Sequence, residues 1–163
     1  MASTIYVSGP SIVQANLSGS WLDLGYSDND DLPAITFTDH QHEVKTVASG
    51  NAPAEIILQN TTASISVTLV QWDATNVASM FAQQRGAVGT PVVGRPLVSG
   101  NHTFQIRIKS VQAGNPGYTF GVCHLRSDSV TDSKWGNVER RLSLNFNAIP
   151  DPTTNVLYTY ATI

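Results

Sequence analysis

Apolar and polar residues alternate one for one in three stretches of this chain. In residues 63–69, Ala63, Ile65, Val67 and Leu69 alternate with Ser64, Ser66 and Thr68. Successive side chains of a strand point to opposite faces, so this pattern predicts a strand with one buried and one polar face. Residues 102–111 repeat it, setting Phe104, Ile106 and Ile108 against Thr103, Gln105, Arg107 and Lys109. A third stretch interleaves Leu142, Leu144 and Phe146 with Arg141, Ser143, Asn145 and Asn147.

β-Branched and aromatic residues bounded by Gly, Pro, Asn and Asp clusters predict further strands over 21–24, 34–47, 54–59, 118–125 and 156–162. One helix interrupts them. Asp73 is placed to cap its first amides, Val77, Met80 and Phe81 fall at i, i+3 and i+4, and Gly86 can close its last turn. That apolar stripe is expected to lie against the sheet. The sum is an all-β fold, a β-sandwich or rolled barrel with one short flanking α-helix and long protruding loops.

Loops are expected at 48–53, 86–100 and 112–117. The second exceeds the usual connection and carries Val92, Val93, Leu97 and Val98, which a monomer has little reason to display. These four, with Ser49, Gly50, Asn51 and Pro53 of the first loop, are the candidate contacts with another subunit.

Composition narrows the picture. The 163 residues suit one domain, 1–163. Apolar residues make up 41% and charged residues only 13%, with a net charge of -3, so the chain belongs with folded proteins and its surface must be largely Ser, Thr, Asn and Gln. Such a surface suits close approach by neighbouring copies, because taking an unpaired charge out of water costs several kcal/mol or so. The nine Lys and Arg residues are scattered, with Arg140 and Arg141 the adjacent pair; this excludes an electrostatic footprint for stable nucleic-acid binding. Cys123 is the one cysteine, which excludes an internal disulfide. The N-terminus lacks the basic-then-apolar pattern of a leader, and no stretch has the roughly 18 apolar residues of a membrane span. A cytosolic site of synthesis and no membrane partner are expected.

Candidate chemistry is sparse. Alternation puts His40 and His42 on one strand face, the start of a metal site and the basis of a metal-dependent enzyme reading, but two ligands are too few and nothing in the spacing requires His102 or His124 as a third. Cys123 and His124 are neighbours, so in a strand they point to opposite faces, and no nucleophile elbow is present. Asp28, Asp30 and Asp31 sit in a segment that reads as a solvated turn closed by Pro33. The glycine-rich steps 86–89 and 94–96 lack the lysine-serine that follows a phosphate loop. Asn16, Asn60 and Asn101 fit the glycosylation pattern by chance in a Ser/Thr-rich chain. Trp72 is expected in the core, which leaves Trp135 as the exposed aromatic of an alternative reading, a β-sandwich carbohydrate-binding module. The expectation is a protein that is not an enzyme and takes no cofactor or metal.

Three blocks together resemble the tail tube proteins of long-tailed bacteriophages. Residues 42–46 (His-Glu-Val-Lys-Thr) followed by 50–58 (Gly-Asn-Ala-Pro-Ala-Glu-Ile-Ile-Leu) are similar to that family's strand, glycine-containing loop and re-entry. Residues 63–73, leading into the helix, are similar to its alternating strand and packed helix. Residues 142–152 and 156–159 are similar to its closing strand, Phe-x-Ala-x-Pro corner and last strand. The resemblance implies a virion structural protein whose six copies form a hexameric ring, with strands joining into an inner barrel and rings stacking head to tail. It also implies other tail proteins as partners, transient passage of DNA, and a place in the virion tail after assembly in the host cytoplasm. An adaptor or tube-initiating ring fits the same blocks.

A conduit for DNA must not hold its cargo, since each cation pairing with phosphate adds affinity. The polar faces Ser64, Ser66, Thr68 and Ser143, Asn145, Asn147 are therefore the lumen-facing candidates. Arg107, Lys109 and Arg141 are expected to face outward or to pair with carboxylates.

Overall fold

Each alternating stretch forms a strand in the computed structural model, which describes residues 2–6, 10–50, 52–85, 102–131 and 141–163. The strands are β1 (Ala2–Tyr6), β2 (Ser11–Leu17), β3 (Ser20–Ser27), β4 (Ala34–Val44), β5 (Glu55–Trp72), β6 (Phe104–Ser110), β7 (Pro116–Thr131), β8 (Leu142–Ile149) and β9 (Tyr158–Thr162), with α1 (Ala74–Arg85) between β5 and β6. All strand pairings among the described residues are antiparallel. Among the described residues the fold is all-β with one short α-helix, as the sequence pattern predicts.

Neighbours run β1–β4–β5–β3–β2–β6–β7–β8, and β8 pairs back onto β5. Six strands thus close into a ring: β5, β3, β2, β6, β7 and β8. β4 and β1 extend the sheet beyond β5, and β9 adds to β7. Closure rests on β5 having different partners along its two edges. One edge takes β3 (Ser27↔Leu69) and then β4 (Ala34↔Ser66); the other takes β8, from Ala63↔Ala148 to Leu69↔Leu142.

The alternating apolar residues fill the ring. Ile65, Leu69, Ile106, Ile108, Phe120, Leu144 and Phe146 have no exposed surface, and each fully buried side chain of this size stabilises by about 1.5–3 kcal/mol. Phe104 meets Phe146 edge to face, with centroids 6.0 Å apart and planes at 87°, the arrangement the ring quadrupoles favour. On β9, Tyr158 packs against Phe37 of β4 at 5.1 Å and Tyr160 against Tyr118 of β7 at 4.7 Å, tying the last strand to both β4 and β7.

α1 covers one end of the ring. Asp73 Oδ1 accepts from the amides of Thr75 (2.9 Å) and Asn76 (3.0 Å), the expected cap. Val77 and Met80 are buried and Phe81 packs beside them. Gln84 takes the role of a strand: its Nε2 donates to the Leu125 carbonyl at 3.0 Å and its Oε1 accepts from the Leu125 amide at 2.6 Å. Leu125 lies two residues beyond the last β6 pair, Phe104↔Cys123, where its backbone would otherwise be left unpaired.

β2 and β1 lie outside the predicted strands, and β5 runs unbroken where a gap was expected at 60–62. β4 ends at Val44 rather than 47, and a single helical turn, Val47–Ser49, follows.

β3 must leave β2 and join β5, and Gly25 sits at that crossing. A Cβ there would lie 2.2 Å from the Gln71 carbonyl oxygen, whereas one on Gly19, in the β2–β3 turn at φ +91°, would meet nothing within 4 Å. Gly25→Ala is therefore expected to destabilise by about 2–3 kcal/mol through overpacking, lowering Tm by roughly 5–10 °C. Gly19→Ala is expected to cost only about 1 kcal/mol of backbone strain. Thermal unfolding followed by circular dichroism checks this, and equal midpoints for the two variants would contradict the crossing geometry.

Candidate assembly surfaces

Strand register brings the lumen-facing candidates together. Ser64 pairs with Asn147, Ser66 with Asn145 and Thr68 with Ser143, all on the face of the β5–β8 sheet opposite the core. Thr36 and Thr38 of β4, opposite Ser64 and Thr62, extend this ladder on one side. His124 of β7, opposite Asn147, extends it on the other. Sequence shows which residues share a face of each strand but not that two such faces are adjacent.

One of the six is not available to a lumen. Thr68 is buried, and its hydroxyl donates to Asp31 and lies 3.4 Å from Ser143 Oγ. The cause is the 28–33 segment, which folds over β5 between β3 and β4. This segment is not a wholly solvated turn: Asp28 is buried, its Oδ1 accepts from the Asp30 amide at 3.0 Å and its Oδ2 lies 2.6 Å from Arg141 Nη1. That oxygen has no partner of good hydrogen-bond geometry; the ion pair is nonetheless real at this separation, because a guanidinium so close neutralises the carboxylate whatever its angle. Arg141 is thus paired, as expected.

Arg126 was not singled out from the sequence. Its Nη1 donates to Ser64 Oγ at 3.3 Å, placing a cation on the polar face. Nothing in the local sequence distinguishes it, since the bulge between Leu125 and Val130 interrupts the alternation there. Arg107, by contrast, lies on the far side of the ring, over the Trp21 indole at 3.9 Å, with Lys109 two residues along the same face.

The second surface is an arm. Beyond the point where β8 ends, β4 and β5 continue as a two-stranded hairpin, closed by the Ala54 amide donating to the Val44 carbonyl at 2.8 Å. Residues 39–43 and 52–60 are exposed on both faces. Ile56, Ile57 and Leu58 are 54%, 45% and 58% exposed. A run of three exposed β-branched and aliphatic residues on an extended strand is a liability in an isolated molecule. Gly50, at φ +62°, and Pro53 lie at its tip. Ser49 ends the helical turn there, while Asn51, Val92, Val93, Leu97, Val98 and Trp135 lie outside the described residues.

A bulge sets which side chains the arm's faces carry. Registers run His40↔Asn60 and then Gln41↔Leu58, so Gln59 is the extra residue. Directly opposed residues share a face, and β5 is rephased by one. Ile56 and Leu58 therefore join Asp39, Gln41 and Glu43 on the face continuous with the core, while Ile57 joins His40 and His42 on the face continuous with the polar ladder. His40 Nε2 lies 3.4 Å from Thr62 Oγ1. No group of three metal-ligating side chains occurs among the described residues.

Cys123 is buried and His124 half-buried on the opposite side of β7, as alternation requires. Burial pushes the Cys123 thiol far up and the His124 imidazole down. A neutral His124 keeps the ladder uncharged there. No helix among the described residues is long and apolar enough to cross a membrane. No protein-family model matches the chain, and no curated protein matches it.

His124 makes stability depend on pH. Its folded pKa lies below the unfolded value of about 6.5, so the unfolded chain binds more protons across that interval. Stability is expected to fall as pH drops through about 6.5 and towards the folded value, and to gain nothing from this group above it. Denaturant titrations from neutral to mildly acidic pH should show this slope reduced in His124→Gln. An unchanged slope in that variant would contradict the assignment.

Proposed function

We propose that this chain is a virion structural protein, the tail tube subunit of a bacteriophage, whose copies assemble into stacked hexameric rings around a channel for DNA passage. Its work is self-association, with other tail proteins as partners, in the virion tail after assembly in the host cytoplasm. The observation that carries the reading is the β4–β5 arm, a hairpin exposed on both faces that prolongs the sheet holding the polar ladder. An element with no packed side in the monomer is explained when a neighbouring copy covers it.

The ladder supports the channel half of the reading. Ser64, Ser66, Ser143, Asn145 and Asn147 offer hydroxyl and amide groups that exchange hydrogen bonds with water at little cost, and none carries charge. DNA sliding past such a surface releases few counterions and meets little friction. Arg126 supplies one cation per subunit, held against Ser64. A heterologous contact between arm and neighbour propagates, closing into a ring or extending into a filament according to the rotation it imposes.

Negative-stain electron microscopy over a concentration series tests this. Rings or tubes with a central channel are expected for the natural chain, and their loss is expected for I56S/I57S/L58S. Because those side chains are exposed, the variant should keep its Tm to within about 2 °C. Monomers of the natural chain at every concentration, or unimpaired tubes from the variant, would contradict the proposal.

A further inference from the structure

The core-continuous face of the arm pairs two apolar side chains, Ile56 and Leu58, with two carboxylates, Asp39 and Glu43. Glu43 has Lys45 at 3.6 Å, both more than half exposed, a contact that costs little to exchange for another. A partner for this face must offer apolar surface bordered by positive charge.

This chain carries such a surface on the far side of the ring. Across β3, β2 and β6 the register aligns Tyr26, Ile12 and Lys109 in one row, and Asp23, Gln14 and Arg107 in another. All six point away from the core. Tyr26 is 40% exposed, and Ile12 and Lys109 are half-buried. Lys109 takes part in neither ion pair found among the described residues. Asp23, the one carboxylate among the six, keeps its charge while accepting from Gln14 Nε2 at 2.6 Å, so Lys109 and Arg107 outnumber it two to one and the patch is net positive. The two surfaces lie on different parts of the molecule, so one chain's arm meets another chain's patch and the contact is heterologous.

We infer that the arm of one copy docks on the outer face of β3–β2–β6 of the next, Ile56 and Leu58 against Ile12 and Tyr26, with Asp39 and Glu43 beside Lys109 and Arg107. The inference rests on self-assembly as the function and names its contact. Apolar side chains supply the burial, and the opposed charges fix register and exclude the reverse orientation.

Charge reversal tests it. D39K/E43K and K109E should each raise the concentration at which assemblies appear by about tenfold or more, through like-charge juxtaposition at the contact. The combined D39K/E43K/K109E chain should return to near the natural value. Circular dichroism of each variant establishes that it is folded, and all three positions lie at the surface or half-exposed. As a second readout, L58C and I12C chains mixed under mild oxidation should yield covalent pairs that neither gives alone, since Cys123 is buried. Natural-type assembly by both reversed chains, or no recovery in the combined chain together with no mixed disulfide, overturns the docking while leaving self-assembly standing. A natural chain that never assembles overturns both.

Discussion

The structure depends on one pairing, that of β5 with β8. Without it the six strands would form an open, curled sheet with two bare edges; with it the edges vanish and the alternating residues Ile65, Val67, Leu69, Leu144 and Phe146 face a common interior. Closure is the most complete answer a sheet has to unpaired backbone. It also fixes the orientation of everything outside the interior, because the residues between the buried ones must point the other way.

The same strand then overruns its closure. β5 begins at Glu55, eight residues before its first pair with β8 at Ala63, and over that stretch it is supported by β4 alone. A closed ring and an uncovered arm therefore share one strand, and rigidity in the first gives the second its direction. The polar ladder is the outer surface of the closure itself, Ser64 to Asn147 and Ser66 to Asn145 being the same pairs that join the two strands. The outward polar face and the exposed arm are thus set by a single register.

Much of the ring is legible in the sequence because its inward residues are large and strictly alternate. The exceptions have physical causes. In β2 the inward residues include Ala15 and the outward ones include Ile12, so the contrast between faces that marks a strand is erased. β5 reads as two strands because Asn60-Thr61-Thr62 looks like a connection and the bulge at Gln59 breaks the period. Ile56, Ile57 and Leu58 read as an ordinary buried strand, since a short apolar run carries no information about what covers it; the signal that separates them is the wholly polar partner strand, Asp39 to Glu43. Helix capping by Asp73 and the opposed Cys123 and His124 are local and were readable. The burial of Asp28 and Thr68 was not, for Asp28 pairs with the sequence-distant Arg141, and Thr68 is covered by the 28–33 segment, whose Asp31 accepts from its hydroxyl.

Backbone hydrogen exchange reads directly whether the arm, bare in the isolated chain, becomes covered on the proposed self-association. In dilute, monomeric protein the amides of residues 39–44 and 55–60 should exchange far faster than those of residues 63–69 and 142–148 in the ring. On assembly the arm should slow by about tenfold or more while the ring stays unchanged. An arm already protected in the monomer, or one that exchanges at the same rate in both states, would contradict the account.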